Sequence, residues 1–127
     1  MADQVYLLLI VLLVLVTKHV LFDFVLQTAA QAKNKGIYGH PAGLLHAGGH
    51  AVGSCLAFMV ITPPLAVAIG IVVAEFVLHY HIDWLKEKVV FALNLRQDQG
   101  PYWWVFGIDQ WLHQLTYLGI AAVLVMT

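Results

Sequence analysis

The sequence predicts an all-α fold, a four-helix transmembrane bundle with both termini extracytoplasmic. Three observations predict it. Of 127 residues, 61% are hydrophobic and 10% charged, and the mean hydropathy is +0.84, whereas a soluble domain carries roughly 25% charged residues. The apolar residues fall into four runs separated by breakers or polar clusters. A chain of this length holds roughly four spans of about 20 residues and leaves nothing for a soluble domain, so residues 1–127 read as one membrane domain. Finally, the basic residues gather in alternate loops.

The first helix is expected over about residues 5–26. Its Val5 to Val16 stretch is as apolar as the core of a secretory signal, and Ala30-Gln31-Ala32 has the look of a cleavage site. Asp3 precedes the run without any Lys or Arg, and the site lies too far beyond it, so a spanning helix is the better reading. A polar loop, Gln27 to Pro41, follows. Pro41 suits the first turn of a second helix, expected over about 43–62. Pro63-Pro64 then forces a reversal, because neither proline donates to a helix and each pushes the preceding residue out of helical geometry. The third helix is expected over about 65–88, Asn94 to Pro101 forms the last loop, and the fourth helix runs over about 102–126.

Lys33 and Lys35 lie in the first loop, and Lys86, Lys88 and Arg96 lie around the third. Short loops rich in Lys and Arg stay in the cytoplasm, which places both termini on the other side. Tyr38, Trp84, Tyr102, Trp103 and Trp104 cluster at the same boundary, where amphipathic rings favour the headgroup region. A net charge of −1 with scattered basic residues excludes nucleic-acid binding, which needs a clustered basic face. The single cysteine, Cys55, sits in an apolar run and reads as a packing residue.

Ionisable residues inside a span are costly and normally face the bundle interior with partners. Here they recur in pairs: His19 and Asp23 on the first helix, His46 and His50 on the second, His79 and Asp83 on the third with Glu75 one turn deeper, Asp109 and His113 on the fourth. A four-residue step puts both members on one helix face. Under the topology above, all four pairs fall in the cytoplasmic half of the bilayer and can converge. Imidazole and carboxylate together suit a divalent transition metal, zinc first among them, and this many donors can hold one or two ions or supply supporting partners. The absence of Cys from these positions argues against a closed thiolate zinc site. The candidate ligands are His19, Asp23, His46, His50, His79, Asp83, Asp109 and His113, and Asp23 and Glu75 are the candidate catalytic carboxylates. Lys18 fits two roles, an ion pair with a site carboxylate or a side chain reaching for the interface. His81 lies off the shared face and reads as a rim contact, His40 as an interfacial residue, and Gly48-Gly49 as a close-packing position. Gln27, Gln110 and Gln114 are candidates for supporting hydrogen bonds.

Taken together, His19-x-x-x-Asp23-Phe24-x-Leu26-Gln27, Leu45-His46-x-x-x-His50, His79-x-x-x-Asp83-Trp84-Leu85-Lys86 and Asp109-Gln110-x-x-His113 resemble the small bacterial membrane proteins grouped as domain of unknown function 3307. The resemblance covers nearly the whole chain in order and implies residence in a bacterial inner membrane. In residue types, the His and Asp pairs are also similar to those of the bacterial membrane-bound metal-dependent hydrolases, of the kind induced in DNA-damage responses. The function expected is a metal-dependent hydrolase of an amphiphilic or lipid-type substrate: a bound metal lowers the pKa of a coordinated water toward 7, and a carboxylate moves the proton. Membrane lipids, and a second copy of the chain, are the expected partners. The alternatives are an ion or proton carrier, which needs a polar path to the other face that Val5 to Val16, Ala57 to Val73 and Gly119 to Val125 do not offer, haem ligation by His pairs, and a structural or regulatory subunit.

Overall fold

A run of Leu, Val and Ile with no Gly or Pro carries the first helix, α1 (Ala2–Val20), without a break in the computed structural model, which describes residues 2–127. At Leu21–Val25 the backbone widens into a π-helical turn, closed by a Leu26 N–H to Leu21 carbonyl bond of 2.8 Å. The segment expected as loop then contains a short helix, α2 (Ala29–Asn34). Thr28 caps it, its hydroxyl accepting from the Gln31 N–H while the Gln31 side chain accepts from the Thr28 N–H.

Helix α3 (Pro41–Gly53) begins with proline in its first turn, as expected, and His40 is its N-cap, with Nδ1 accepting from the Ala42 N–H at 3.1 Å. The single helix expected over 43–62 is divided. After Gly53 the chain tightens into a 3-10 turn, Ser54–Met59, because Gly48, Gly49 and Gly53 weaken the α-helix and Pro63-Pro64 ends any continuation. Helix α4 (Leu65–Ala92) runs four residues beyond its expected end and stops where Asn94 turns left-handed at φ 50°. Helix α5 (Gly100–Met126) closes the chain, with Pro101 in its first turn.

No strand occurs among the described residues, and the protein is all-α. Two segments are long and apolar enough to cross a membrane, Ala2–Val25 with mean hydropathy 2.5 and Leu65–Ala92 with 1.9. The sequence predicts four. Helix α3 has only 13 residues before it tightens, and α5 is diluted by Asp109, Gln110, His113 and Gln114.

Around the bundle, α1 packs on α5 and on the 3-10 turn, α5 on α4, and α4 on α3, which closes the ring back to α1. The interior has two tiers. Toward the chain termini, Val11, Leu15, Ala57, Ile71, Tyr117, Ile120, Ala121 and Leu124 form an apolar core. Above it, the buried residues are almost all ionisable, among them His19, Asp23, His46, His50, Glu75, His79, Asp83, Asp109 and His113. The outside is the reverse: Leu13, Leu45, Phe24 and Trp104 are exposed by 59% to 70%. Polar inside and apolar outside inverts the distribution of a water-soluble domain and suits a lipid environment.

Candidate metal centre

Each helix delivers its polar pair at the same level. The π turn carries Asp23, one step after α1 has placed His19; α3 supplies His46 and His50, α4 His79 and Asp83, α5 Asp109 and His113. Asp23 Oδ1 lies 3.0 Å from His46 Nε2 and 2.9 Å from His50 Nε2. Asp83 Oδ2 lies 3.4 Å from His46 Nε2 and 3.5 Å from His79 Nε2, and its Oδ1 lies 3.4 Å from His113 Nε2. The His50 and His79 rings stack with centroids 3.8 Å apart.

Two sets of donors lie within 4.8 Å of one another: Asp23, His46, His50 and His79, and then His79, Asp83 and His113. Both can hold a metal ion, and His79 belongs to both. Two donors bound to one tetrahedral zinc at about 2.0–2.1 Å stand about 3.3 Å apart, close to the separations observed. His46 Nε2, His79 Nε2 and His113 Nε2 are buried yet make no hydrogen bond. Buried nitrogens seldom stay unpaired, so these three are free to take a further partner such as a metal ion. Both sets therefore fit a divalent transition metal: the four donors of the first would complete a tetrahedron, and the three of the second leave one position open.

His19 stands apart from both sets. Its Nε2 lies 3.0 Å from Gln110 Oε1 and 3.3 Å from Asp23 Oδ2, and its Nδ1 lies 3.0 Å from the Tyr117 hydroxyl. Gln110 Nε2 donates to Asp109 Oδ2 at 3.0 Å, which fixes Oε1 toward His19. The bonds thus make His19 Nε2 the donor and leave Nδ1 to accept from Tyr117. Asp109 Oδ1 is 3.6 Å from His113 Nε2, has no hydrogen-bond partner and lies outside the two donor sets.

Below this layer Lys18 is buried against Glu75. Its Nζ donates to Glu75 Oε1 at 2.7 Å, to the His50 carbonyl at 3.1 Å and to the Tyr117 hydroxyl at 3.2 Å. Of the two roles open to Lys18, the ion pair is the one observed. Gly53 makes room for the lysine stem, since a Cβ there would stand 3.0 Å from Lys18 Cδ. Glu75 thus reaches the ligand layer through Lys18, Tyr117 and His19.

A model of the DUF3307 family, proteins of unknown function, matches residues 8–127. The chain belongs to the DUF3307 family. All four quoted motifs lie within the match. No curated protein and no solved structure matches the chain, and none of the comparisons shows a similarity to metal-dependent hydrolases.

The DUF3307 chain brings two further residues to the centre that the sequence did not single out. Lys35, counted there only as an orienting charge, is buried with Nζ 3.4 Å from Asp83 Oδ1 and 3.2 Å from Gln27 Oε1. Tyr117 joins Lys18 to His19. It lies four residues after His113, so the same helix spacing would have flagged it had tyrosine been counted among the polar residues. Gln27 and Gln110 do support the centre, whereas His81 bonds at the rim to Tyr38 at 3.0 Å.

Proposed function

We propose that this DUF3307 protein is a four-helix membrane protein, both termini extracytoplasmic, whose buried centre binds a divalent transition metal and uses it to hydrolyse the polar head of an amphiphile. One observation carries the metal reading: among the described residues, four buried carboxylates, Asp23, Glu75, Asp83 and Asp109, face two buried lysines, Lys18 and Lys35. With the histidines neutral, two negative charges are left over in a site that excludes water. Uncompensated buried charge is costly, and one divalent cation removes it. Asp23, His46, His50 and His79, or His79, Asp83 and His113, would hold the ion, and zinc is the natural choice for either imidazole and carboxylate set.

The dimensions support four spans. Helix α5 has 27 residues, about 40 Å at 1.5 Å per residue. Helix α3 with its 3-10 continuation covers about 31 Å, close to the hydrocarbon thickness.

A bound metal supplies Lewis acidity and makes a coordinated water nucleophilic near neutral pH. This chain's own part is to hold and move protons. Asp23 Oδ2 takes the His19 contact and orients Oδ1 toward His46 and His50, while Glu75 connects to the same layer through Tyr117. The carrier reading is disfavoured because the tier from Val11 to Leu124 is apolar, and a relay needs polar groups through both halves.

Elemental analysis of the purified full chain tests the reading. The expected result is one divalent ion per chain, lost in His79→Ala and Asp83→Ala. No stoichiometric metal, or metal undiminished in both variants, overturns it.

A further inference from the structure

The four buried carboxylates differ in what covers their charge. Glu75 pairs with Lys18 at 2.7 Å, and Asp83 has Lys35 Nζ at 3.4 Å from its Oδ1. Among the described residues no lysine pairs with Asp23 or Asp109: Asp23 meets His19, His46 and His50, and Asp109 meets Gln110 and His113. Of the two donor sets, the one made of His79, Asp83 and His113 therefore has a cation already seated on it, and the other does not.

Lys35 is built into that position. It is buried although it ends the short helix α2, and two glycines admit its backbone to the bundle. A Cβ on Gly43 of α3 would stand 3.3 Å from Lys35 Cα, and one on Gly36 would stand 2.8 Å from Cβ of Glu87 on α4. The tip of the side chain is held as well: Nζ donates to Gln27 Oε1 at 3.2 Å, and Gln27 Nε2 donates in turn to the Asp23 carbonyl at 3.1 Å. With Nζ 3.4 Å from Asp83 Oδ1, an ion bound to that oxygen at about 2.0–2.2 Å would lie at most about 5.6 Å from the ammonium group. Like charges that close repel strongly where water is excluded.

The same geometry shows what Lys35 excludes. His113 Nε2 is 3.4 Å from Asp83 Oδ1 and 3.6 Å from Asp109 Oδ1, near the separation of about 3.3 Å between two donors on one tetrahedral zinc. Asp109 Oδ1 and the Nε2 atoms of His79 and His113 are buried without a hydrogen bond. With Lys35 removed, Asp83 and Asp109 would give this cluster two uncovered negative charges, matching one divalent ion. His79 is common to both sets, yet two ions would each keep three donors: Asp23, His46 and His50 for one, and His79, Asp83 and His113 for the other. We propose that His79, Asp83 and His113, with Asp109 beside them, form a second divalent-metal site that Lys35 keeps closed, its ammonium group standing in for the ion. This rests on the metal reading above and assigns the native chain's ion to Asp23, His46, His50 and His79. Asp83 still matters to that ion, because its Oδ2 lies 3.4 Å from His46 Nε2 and 3.5 Å from His79 Nε2, and its loss would leave Lys35 unpaired.

The test counts zinc per chain. The full chain is purified in detergent, saturated with zinc(II), desalted and measured by elemental mass spectrometry against amino-acid analysis. The native chain should hold one ion and Lys35→Met two. Lys35→Gln, which keeps a hydrogen-bond donor for Asp83, is the second variant should Lys35→Met fail to fold, and it too should hold two. Lys35→Arg retains the charge and should hold one, as should Lys33→Met, which removes an exposed lysine of the same helix. Adding His113→Ala to Lys35→Met should return the count to one. A second equivalent of zinc should also raise the unfolding temperature of Lys35→Met and leave that of the native chain unchanged. Two ions in the native chain, no gain in Lys35→Met and Lys35→Gln, or a gained ion that survives His113→Ala would each overturn the proposal. The native count separates it from the reading it rests on. One ion in the native chain and one in both Lys35 variants fails the closed site and keeps the metal centre; none in the native chain and one in the variants fails the native centre and keeps the closed site. No metal in any of them fails both.

Discussion

His19 and His79 occupy the same layer and differ in what their ring nitrogens do. His79 Nε2 has no hydrogen bond, whereas both nitrogens of His19 are engaged by Tyr117, Gln110 and Asp23. His79→Ala should therefore abolish metal binding, while His19→Ala should lower affinity by about 10–100-fold, the usual effect of losing a residue that orients a ligand; competition with a coloured chelator distinguishes the two. Lys18 makes a separate prediction. Lys18→Met leaves Glu75 buried and uncompensated, at a cost of about 3–5 kcal/mol, and adding Glu75→Gln to it should recover most of the loss in thermal unfolding in detergent. At this scale the sequence was informative about which residues converge, because a four-residue step has one geometric meaning on a helix. It could not rank His19 below His79, because that depends on Gln110 and Tyr117 arriving from another helix. Lys35 was hidden for a similar reason: its loop position gave no hint that it folds back to Asp83.

The π turn at Leu21–Val25 is the element on which the centre depends. It widens the end of α1 so that Asp23 lies 2.9 Å from His50 across the bundle while still contacting His19. Such turns hold one residue more than the α-helix they replace and recur at functional sites. Deleting Leu21 would return the segment to α-helical pitch and swing Asp23 by about 100°; helical content by circular dichroism should persist while metal binding is lost. No pattern of apolar residues announces a π turn, since the widening follows from tertiary demand. The division of the second helix was more legible in retrospect, given the three glycines between 48 and 53 and the proline pair beyond. Pro41 and Pro63-Pro64 are legible as helix punctuation because proline acts through local sterics alone.

For the whole molecule, composition was sufficient to predict a helical, apolar chain, and the inverted interior follows from it. Two of the four expected spans satisfy length and apolarity, since the residues that build the centre are the ones that lower the hydropathy of α5. Orientation can be checked by single cysteines in a Cys55→Ser background: labels at positions 33 and 96 should react only from the cytoplasmic side and a label at Ala2 only from the opposite side. Metal retention should also depend on acidity. Imidazole must be neutral to ligate, so lowering the pH drives the equilibrium toward protonated histidine and free ion, and metal content after dialysis should fall as the pH is lowered and return when it is raised.

Beneath the ligand layer the bundle is filled by Leu15, Ile120 and Leu124, and above it the small cavity that reaches His46, about 110 Å³, is bounded by Gln31 of the short helix α2. The short helix α2, six residues fixed by one capping box, thus borders one approach to His46, and an ion's passage along it would depend on how often those residues come loose as well as on the strength of its ligands.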